Sequence, residues 1–343
     1  MLTAVVGTYT DNGSKGIYSL KISQNDGSFS FLESVEVDNP SYVILNRNNT
    51  RVYAVSEMHN EKAALVALEF EKISGQFKVI NSQLTHGMDP CHLLLGDGFV
   101  VTANYSSGSI TVFPLDSNGG IQEASQVIKF EGTGPDKSRQ EMPHAHHVYF
   151  TPDRKFLLVN DLGTDKIHKF KVNSQAPFLS ETYEDINVQP ESGPRHSVFT
   201  KNGKYMYLIN ELNGHVNAFV NQNGTLSMFQ SIICDSVSAR GSADIHLSPD
   251  GKFLYASNRL KQDGICIYKI DSSSGYLSKV GYQITGIHPR IFDITPNGKF
   301  LYVCCRDSNC IEVYQRSLES GLLRKDSEIK LPHPVCIKFV ELN

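Results

Sequence analysis

The feature that most restricts what this chain can fold into is an internal repeat. A short apolar segment, a turn, a second apolar segment and a polar residue recur in order. The copies are NPSYVILNRNNTRVYAVSE from Asn39, DPCHLLLGDGFVVTANY from Asp89, PHAHHVYFTPDRKFLLVND from Pro143, GPRHSVFTKNGKYMYLINE from Gly193, SADIHLSPDGKFLYASNR from Ser242 and HPRIFDITPNGKFLYVCCR from His288. A shortened copy, HPVCIKFVELN from His333, closes the chain. From Pro40 to Pro334 the copies advance by about 49 residues each, a period typical of propellers, solenoids and arrays. Apolar runs of strand length flank Asn202-Gly203, Asp250-Gly251 and Asn297-Gly298, which predicts two-residue hairpins. A third strand follows, such as HVNAFV, and then a fourth, such as GTLSMFQSII. No stretch holds a helical period long enough to define a helix. Four strands per copy predict a propeller blade.

The ends of the chain predict how the ring closes. The last copy supplies only a first strand, whose Val335, Ile337 and Phe339 face the core, while TAVVGTYT, GIYSLKI and FSFLESVEV at the N-terminus read as second, third and fourth strands. The expected architecture is therefore all-β, a seven-bladed β-propeller of four-stranded antiparallel blades. Its last blade is closed by N- and C-terminal strands, and one domain spans residues 1–343. Joining the ends covers edges that an open array would expose.

Composition narrows the function. A net charge of −4 argues against a partner held by bulk cationic charge, so no nucleic acid is expected. No apolar run reaches the ~18 residues of a membrane span, so no membrane partner is expected either. The start, MLTAVVGTYT, has no basic segment before its apolar residues and predicts no secretory signal. Seven cysteines without a CxxC pair read as reduced thiols, which suits a cytoplasmic protein. The chain lacks GxGxxG, GxxxxGK, GxSxG and HExxH, so dinucleotide, nucleotide, serine-hydrolase and zincin chemistry find no support.

Aligning the copies collects polar residues at two positions. Just past the second strand stand Glu57, Tyr105, Glu211, Arg259 and Arg306; at the start of the first strand stand His146, Arg195 and Arg290. Both sets should ring one mouth of the central channel, where propellers carry their sites on strand ends and loops. A cationic ring on an acidic protein predicts a small anionic ligand. In PHAHH, strand alternation places His144 and His146 on one face and His147 on the other. Two imidazoles at that spacing suit a metal, but no third ligand is evident and the neighbouring arginines repel cations, so no metal and no cofactor are expected. His147 and His196 read as hydrogen-bonded structural residues. A carboxylate at Glu211 among arginines would stay ionised. It would either serve as a general base or neutralise the guanidiniums, and these readings stay open.

The segments GTYTDNGSKGIYSLKI, PHAHHVYFTPDRKFLLVNDLGTDKI, GPRHSVFTKNGKYMYLINEL and ADIHLSPDGKFLYASNR together resemble the lactonase family of seven-bladed propellers, over essentially the whole chain. The resemblance implies a lactonase, a carboxylic ester hydrolase that opens a small anionic sugar lactone, 6-phosphogluconolactone, to 6-phosphogluconate of the pentose phosphate pathway. It implies catalytic roles for His146, Arg195, Glu211 and Arg259, with either Glu211 or His146 as the base, and substrate contacts from His144 and Arg290. Glu57 and Arg306 join the substrate-binding set from the repeat alignment. No metal is implied. Cys304-Cys305-Arg306 departs from the family pattern. The alternatives are a lactonase or lactone-forming cyclase for another anion such as carboxymuconate, or a non-catalytic interaction platform. The platform reading is weakened because the chain has no Trp and so none of the Trp-Asp pairs of WD-repeat propellers.

Overall fold

A computed structural model describes residues 1–341; Leu342 and Asn343 lie outside the described residues. The described residues form seven four-stranded antiparallel sheets. Blade 1 is the composite: Pro334–Glu341 pairs with Leu2–Thr8, which pairs with Gly16–Ile22 and then Phe29–Glu36. The other six blades are each built from consecutive strands, with first strands Val43–Leu45, Pro90–Leu95, Ala145–Phe150, Pro194–Phe199, Ser242–Leu247 and Pro289–Ile294. Each first strand packs against those of both neighbouring blades, so the seven close a ring around the channel. Apart from one turn of 3₁₀ helix at Arg306–Ser308, the described residues hold no helix, and none is long and apolar enough to cross a membrane.

The apolar pattern explains this layering. Second strands such as Phe99–Asn104, Tyr205–Asn210 and Phe253–Asn258 are buried along their whole length, whereas outer strands such as Phe77–Leu84 are largely exposed or half-buried. Strands covered on both faces read as near-continuous apolar runs. The core is accordingly divided among the seams between blades. Tyr207, Ile209, Ala256 and Tyr268 fill the seam of blades 5 and 6, and Leu2, Ala4, Tyr302 and Ile337 that of blades 7 and 1. One stitch recurs across these seams. The buried second-strand tyrosines Tyr53, Tyr207, Tyr255 and Tyr302 donate their hydroxyls to the carbonyls of Gly119, Gly275, Gly321 and Gly27 in the next blade. Tyr207→Phe leaves the Gly275 carbonyl without this donor, and a loss of about 1 kcal/mol is expected in a urea melt.

The turns differ from expectation in length. Thr200 and Tyr205 close a four-residue loop, not a two-residue one, through the Thr200 N–H to the Tyr205 carbonyl at 2.9 Å. The Thr200 hydroxyl donates to Asn202 Oδ1 at 2.7 Å, and Gly203 takes a positive φ of 71°. Ser248 with Asp250 and Thr295 with Asn297 repeat the device. The Asn-Gly and Asp-Gly pairs thus belong to a Ser/Thr-x-Asn/Asp-Gly turn in which the side chains organise two additional residues.

Candidate functional site

Each second strand ends at the same mouth, and one device fixes the residue that follows it. The N–H groups of Tyr9, Glu57, Tyr105, Leu162, Glu211, Arg259 and Arg306 donate to the carbonyls of His333, Asn39, Asp89, His144, Gly193, Gly241 and His288, which lie just before the first strand of the same blade. Five of these acceptors, Asn39, Asp89, Gly193, His288 and His333, have positive φ. The register slips at the start of several first strands, between Pro90 and His92, Ala145 and His147, Pro194 and His196, and Pro289 and Ile291. Each slip frees one residue from the ladder: Cys91, His146, Arg195 and Arg290. A bulge re-aims a side chain in this way, and all four line the mouth.

The resulting cavity is about 200 Å³. Glu57, Tyr105, Glu211 and Arg259 wall it from the second-strand ends, Cys91, His146, Arg195 and Arg290 from the first-strand starts, and Arg139 from a loop outside the repeat. Six of the eight residues that sequence reasoning proposed therefore meet here. The other two stand behind the wall. His144 stacks on Tyr105 at 4.4 Å and its Nδ1 lies 3.1 Å from the Tyr105 carbonyl. Arg306 packs over the Tyr9 ring at 5.1 Å and reaches Asp307 at 3.5 Å. The bulge at Ala145/His147 also breaks the strict alternation expected for PHAHH: His146 lines the cavity, while His147 joins His92 and His196 in a cluster of buried rings.

Sequence reasoning missed three residues. Tyr9 and Cys91 occupy the aligned positions of Glu57 and His146, so the repeat carried their signal. Arg139 comes from the connection between Gln126–Lys129 and Ala145–Phe150, where the repeat has no counterpart.

Glu211 is the electrostatic centre. Its Oε2 accepts from Arg195 Nε at 2.8 Å and from Arg259 Nη2 at 3.1 Å, and its Oε1 accepts from Arg139 Nη2 at 2.6 Å. Burial alone would raise this carboxyl, but the charges of Arg259, Arg195 and Arg139 outweigh it and hold the pKa at about 2. Arg195 also donates to the Ala243 carbonyl at 2.6 Å, and Arg259 to the Gly241 carbonyl at 2.9 Å. Arg290 has a looser partner, Glu57 at 3.5 Å, whose other oxygen accepts from Tyr9 at 2.9 Å. His146 is kept neutral: burial, then the charge of Arg195, the neighbouring His196 ring and the charge of Arg290, push it well below 6.5. Its Nδ1 lies 3.9 Å from Cys91 Sγ, and its Nε2 has no hydrogen-bond partner among the described residues. The Cys91 thiol is pushed up by burial and so stays protonated.

A larger cavity of about 630 Å³ lies on the opposite face, between the turns of blades 5 and 6. It offers Lys201 and His246 against Asp250 and Asp271 and no arginine, so it lacks the converging cations of the mouth. Among the described residues, the grouping of metal-type ligands is Cys310, Glu312 and Glu328, none of which lines the mouth cavity. Its carboxylates already pair with Lys325 and Lys330.

A family model described as "Lactonase, 7-bladed beta-propeller" matches residues 3–339. The chain is 38% identical to a 6-phosphogluconolactonase of Formosa agariphila, covering 93% of this chain and 94% of that one. It is 35% identical to a 6-phosphogluconolactonase of Bacillus subtilis, covering 98% and 97%. The crystal structure of a putative 6-phosphogluconolactonase from Bacteroides fragilis superposes with a TM-score of 0.98 at 51% identity, over 99% of this chain and 98% of that one.

Proposed function

The chain belongs to the lactonase family of seven-bladed β-propellers, and we propose that it hydrolyses 6-phosphogluconolactone to 6-phosphogluconate at the channel mouth. The observation that carries this reading is a small buried cavity in which four guanidiniums outnumber two carboxylates around one neutral imidazole. Such a cavity favours an anionic substrate and stabilises an oxyanion. The relatives named above agree in substrate and span nearly the whole chain.

In the mechanism we infer, His146 is the base. Glu211 is a poor one, since both its oxygens are occupied by guanidiniums, whereas His146 Nε2 has no partner among the described residues. His146 takes a proton as water adds to the lactone carbonyl. Arg290, the less tightly paired guanidinium, and Arg195 stabilise the oxygen that becomes negative. The tetrahedral adduct collapses by breaking the ring C–O bond, and the leaving ring oxygen takes the proton from His146. The new carboxylic acid loses its own proton to solvent, so one proton is released per turnover. Glu211 holds Arg195, Arg259 and Arg139 in place. His144 supports Tyr105, and Arg306 supports Tyr9. Seven buried cysteines, all unpaired, suit a reducing compartment, and we place the activity in the cytoplasm and the pentose phosphate pathway.

Proton release in a pH-stat tests the activity across 6-phosphogluconolactone, δ-gluconolactone and a carboxymuconolactone. Fastest turnover is expected on the first. Failure to exceed the spontaneous rate on all three would favour a non-catalytic platform, and preference for the third a muconate-type enzyme. Arg195→Ala is expected to lower kcat/KM about 100-fold or more, the cost of one preorganised donor. His146→Gln is expected to lower kcat by a factor on the order of 100 or more while substrate still binds. Full activity in His146→Gln would return the role of base to Glu211.

A further inference from the structure

The cavity wall contains one element that the repeat does not explain. The connection between Gln126–Lys129 and Ala145–Phe150 leaves blade 3 and brings Arg139 to the cavity before entering blade 4. It is well anchored. Gln140 is fully buried, donates to the Leu162 carbonyl at 2.9 Å and accepts from the Asp136 N–H at 3.1 Å. Asp136 forms an ion pair with Arg240, on the connection between blades 5 and 6. The connection therefore bridges two separated parts of the rim and carries Arg139 between them.

Arg139 differs from the other three wall arginines in exposure. Its side chain is 33% exposed, against 1% for Arg195, 7% for Arg259 and 14% for Arg290. Its Nη2 is held by Glu211 at 2.6 Å and lies 3.3 Å from the Tyr105 hydroxyl, while its Nε and Nη1 have no partner among the described residues. A phosphate dianion is strongly hydrated and is costly to bury, so it is best met where a cation still touches water. The free Nη1 amino group of Arg139 can donate a charge-assisted hydrogen bond to a phosphate oxygen. The lactone ring is uncharged and tolerates the deeper end, beside His146.

On the reading of a phosphorylated sugar lactone as substrate, we propose that Arg139 determines specificity for the phosphate. Its free Nη1 binds the phosphate at the mouth while the strap from Asp136 to Gln140 fixes its position. Replacing it therefore changes which lactone the enzyme prefers, beyond any common loss from disturbing Glu211.

The test is the ratio of kcat/KM for 6-phosphogluconolactone to that for δ-gluconolactone, measured in wild type, Arg139→Ala and Arg139→Gln. The ratio is expected to fall about 10- to 100-fold in Arg139→Ala, the range for losing a charge-assisted pair, mainly through KM for the phosphorylated substrate. Arg139→Gln keeps a donor and loses the charge, and its ratio should lie between. Inhibition by 6-phosphogluconate should weaken more than inhibition by gluconate. An unchanged ratio, with both lactones losing equally, would overturn the proposal and leave Arg139 as a prop for Glu211. Wild type inactive on both lactones would instead refute the lactonase reading. Wild type equally active on both, with Arg139→Ala no different, would refute the specificity role alone.

Discussion

A chain truncated before Pro334 is expected to fail to fold at 37 °C. Pro334–Glu341 is the first strand of blade 1, and its Val335, Ile337 and Val340 are fully buried. Ile337 packs with Leu2, Ala4 and Tyr302 in one seam, while Cys336 and Val340 pack with Val5 and Val43 in the next. Phe339 is only half-buried, edge-on to Tyr302 at 5.2 Å. Burying three branched side chains contributes roughly 5–8 kcal/mol, against a total stability of about 5–15 kcal/mol for a typical protein. The truncation also bares Leu2–Thr8, buried along its whole length, as an open edge. A circular-dichroism melt and the soluble yield check this, and an unchanged Tm would show that the ends do not close the ring.

Acid is expected to destabilise the protein steeply below pH 6.5, well above the range where carboxylates titrate. Burial holds five imidazoles below the ordinary histidine value: His92, His146 and His147 well below it, His196 at about 4 and His288 at about 2. Cations reinforce the effect, with Arg195 near His146 and His196, Arg259, Arg290 and Arg306 near His288, and Lys338 near His92 and His147. Asp244 opposes it at His92, His147 and His196. The folded state keeps these rings neutral, whereas the unfolded chain protonates them below pH 6.5. Unfolding then takes up protons, and stability falls with falling pH by about 1.4 kcal/mol per pH unit for each proton taken up. His246, raised by Asp244, and His59, raised by Asp89, act in the opposite sense but are fewer. Tm should be flat above pH 7 and drop sharply between pH 6.5 and 5. A Tm constant down to pH 4.5 would mean that these sites accept protons without unfolding.

The scaffold and most of the rim were legible in the sequence for one physical reason: blades that share a seam geometry need the same apolar spacing. The Pro40-to-Pro334 period therefore exposed the blade count and the composite closure. It also placed Glu57, Tyr105, Glu211 and Arg259 at one level, because each is tied by its N–H to the same carbonyl position. Tyr9 was legible by the same rule, at the end of TAVVGTY, and Cys91 stood where other copies carry His146 and Arg195. Arg139 was not legible, because a loop that departs from the repeat reaches the cavity through contacts of Gln140 and Asp136 distant in sequence. Nor was the proposed partition of roles between Glu211 and His146. That depends on three guanidiniums converging from three separate segments on one carboxylate, a matter of distance.

The measurement that bears most directly on the site is a crystal structure of the protein with 6-phosphogluconate bound. The product is expected at the channel mouth, its carboxylate within hydrogen-bond distance of Arg290 or Arg195 and close to His146, and its phosphate on the free Nη1 of Arg139. Product seated instead in the furrow between Thr200–Tyr205 and Ser248–Gly251, or bound at the mouth with its phosphate buried against His146, would contradict the account.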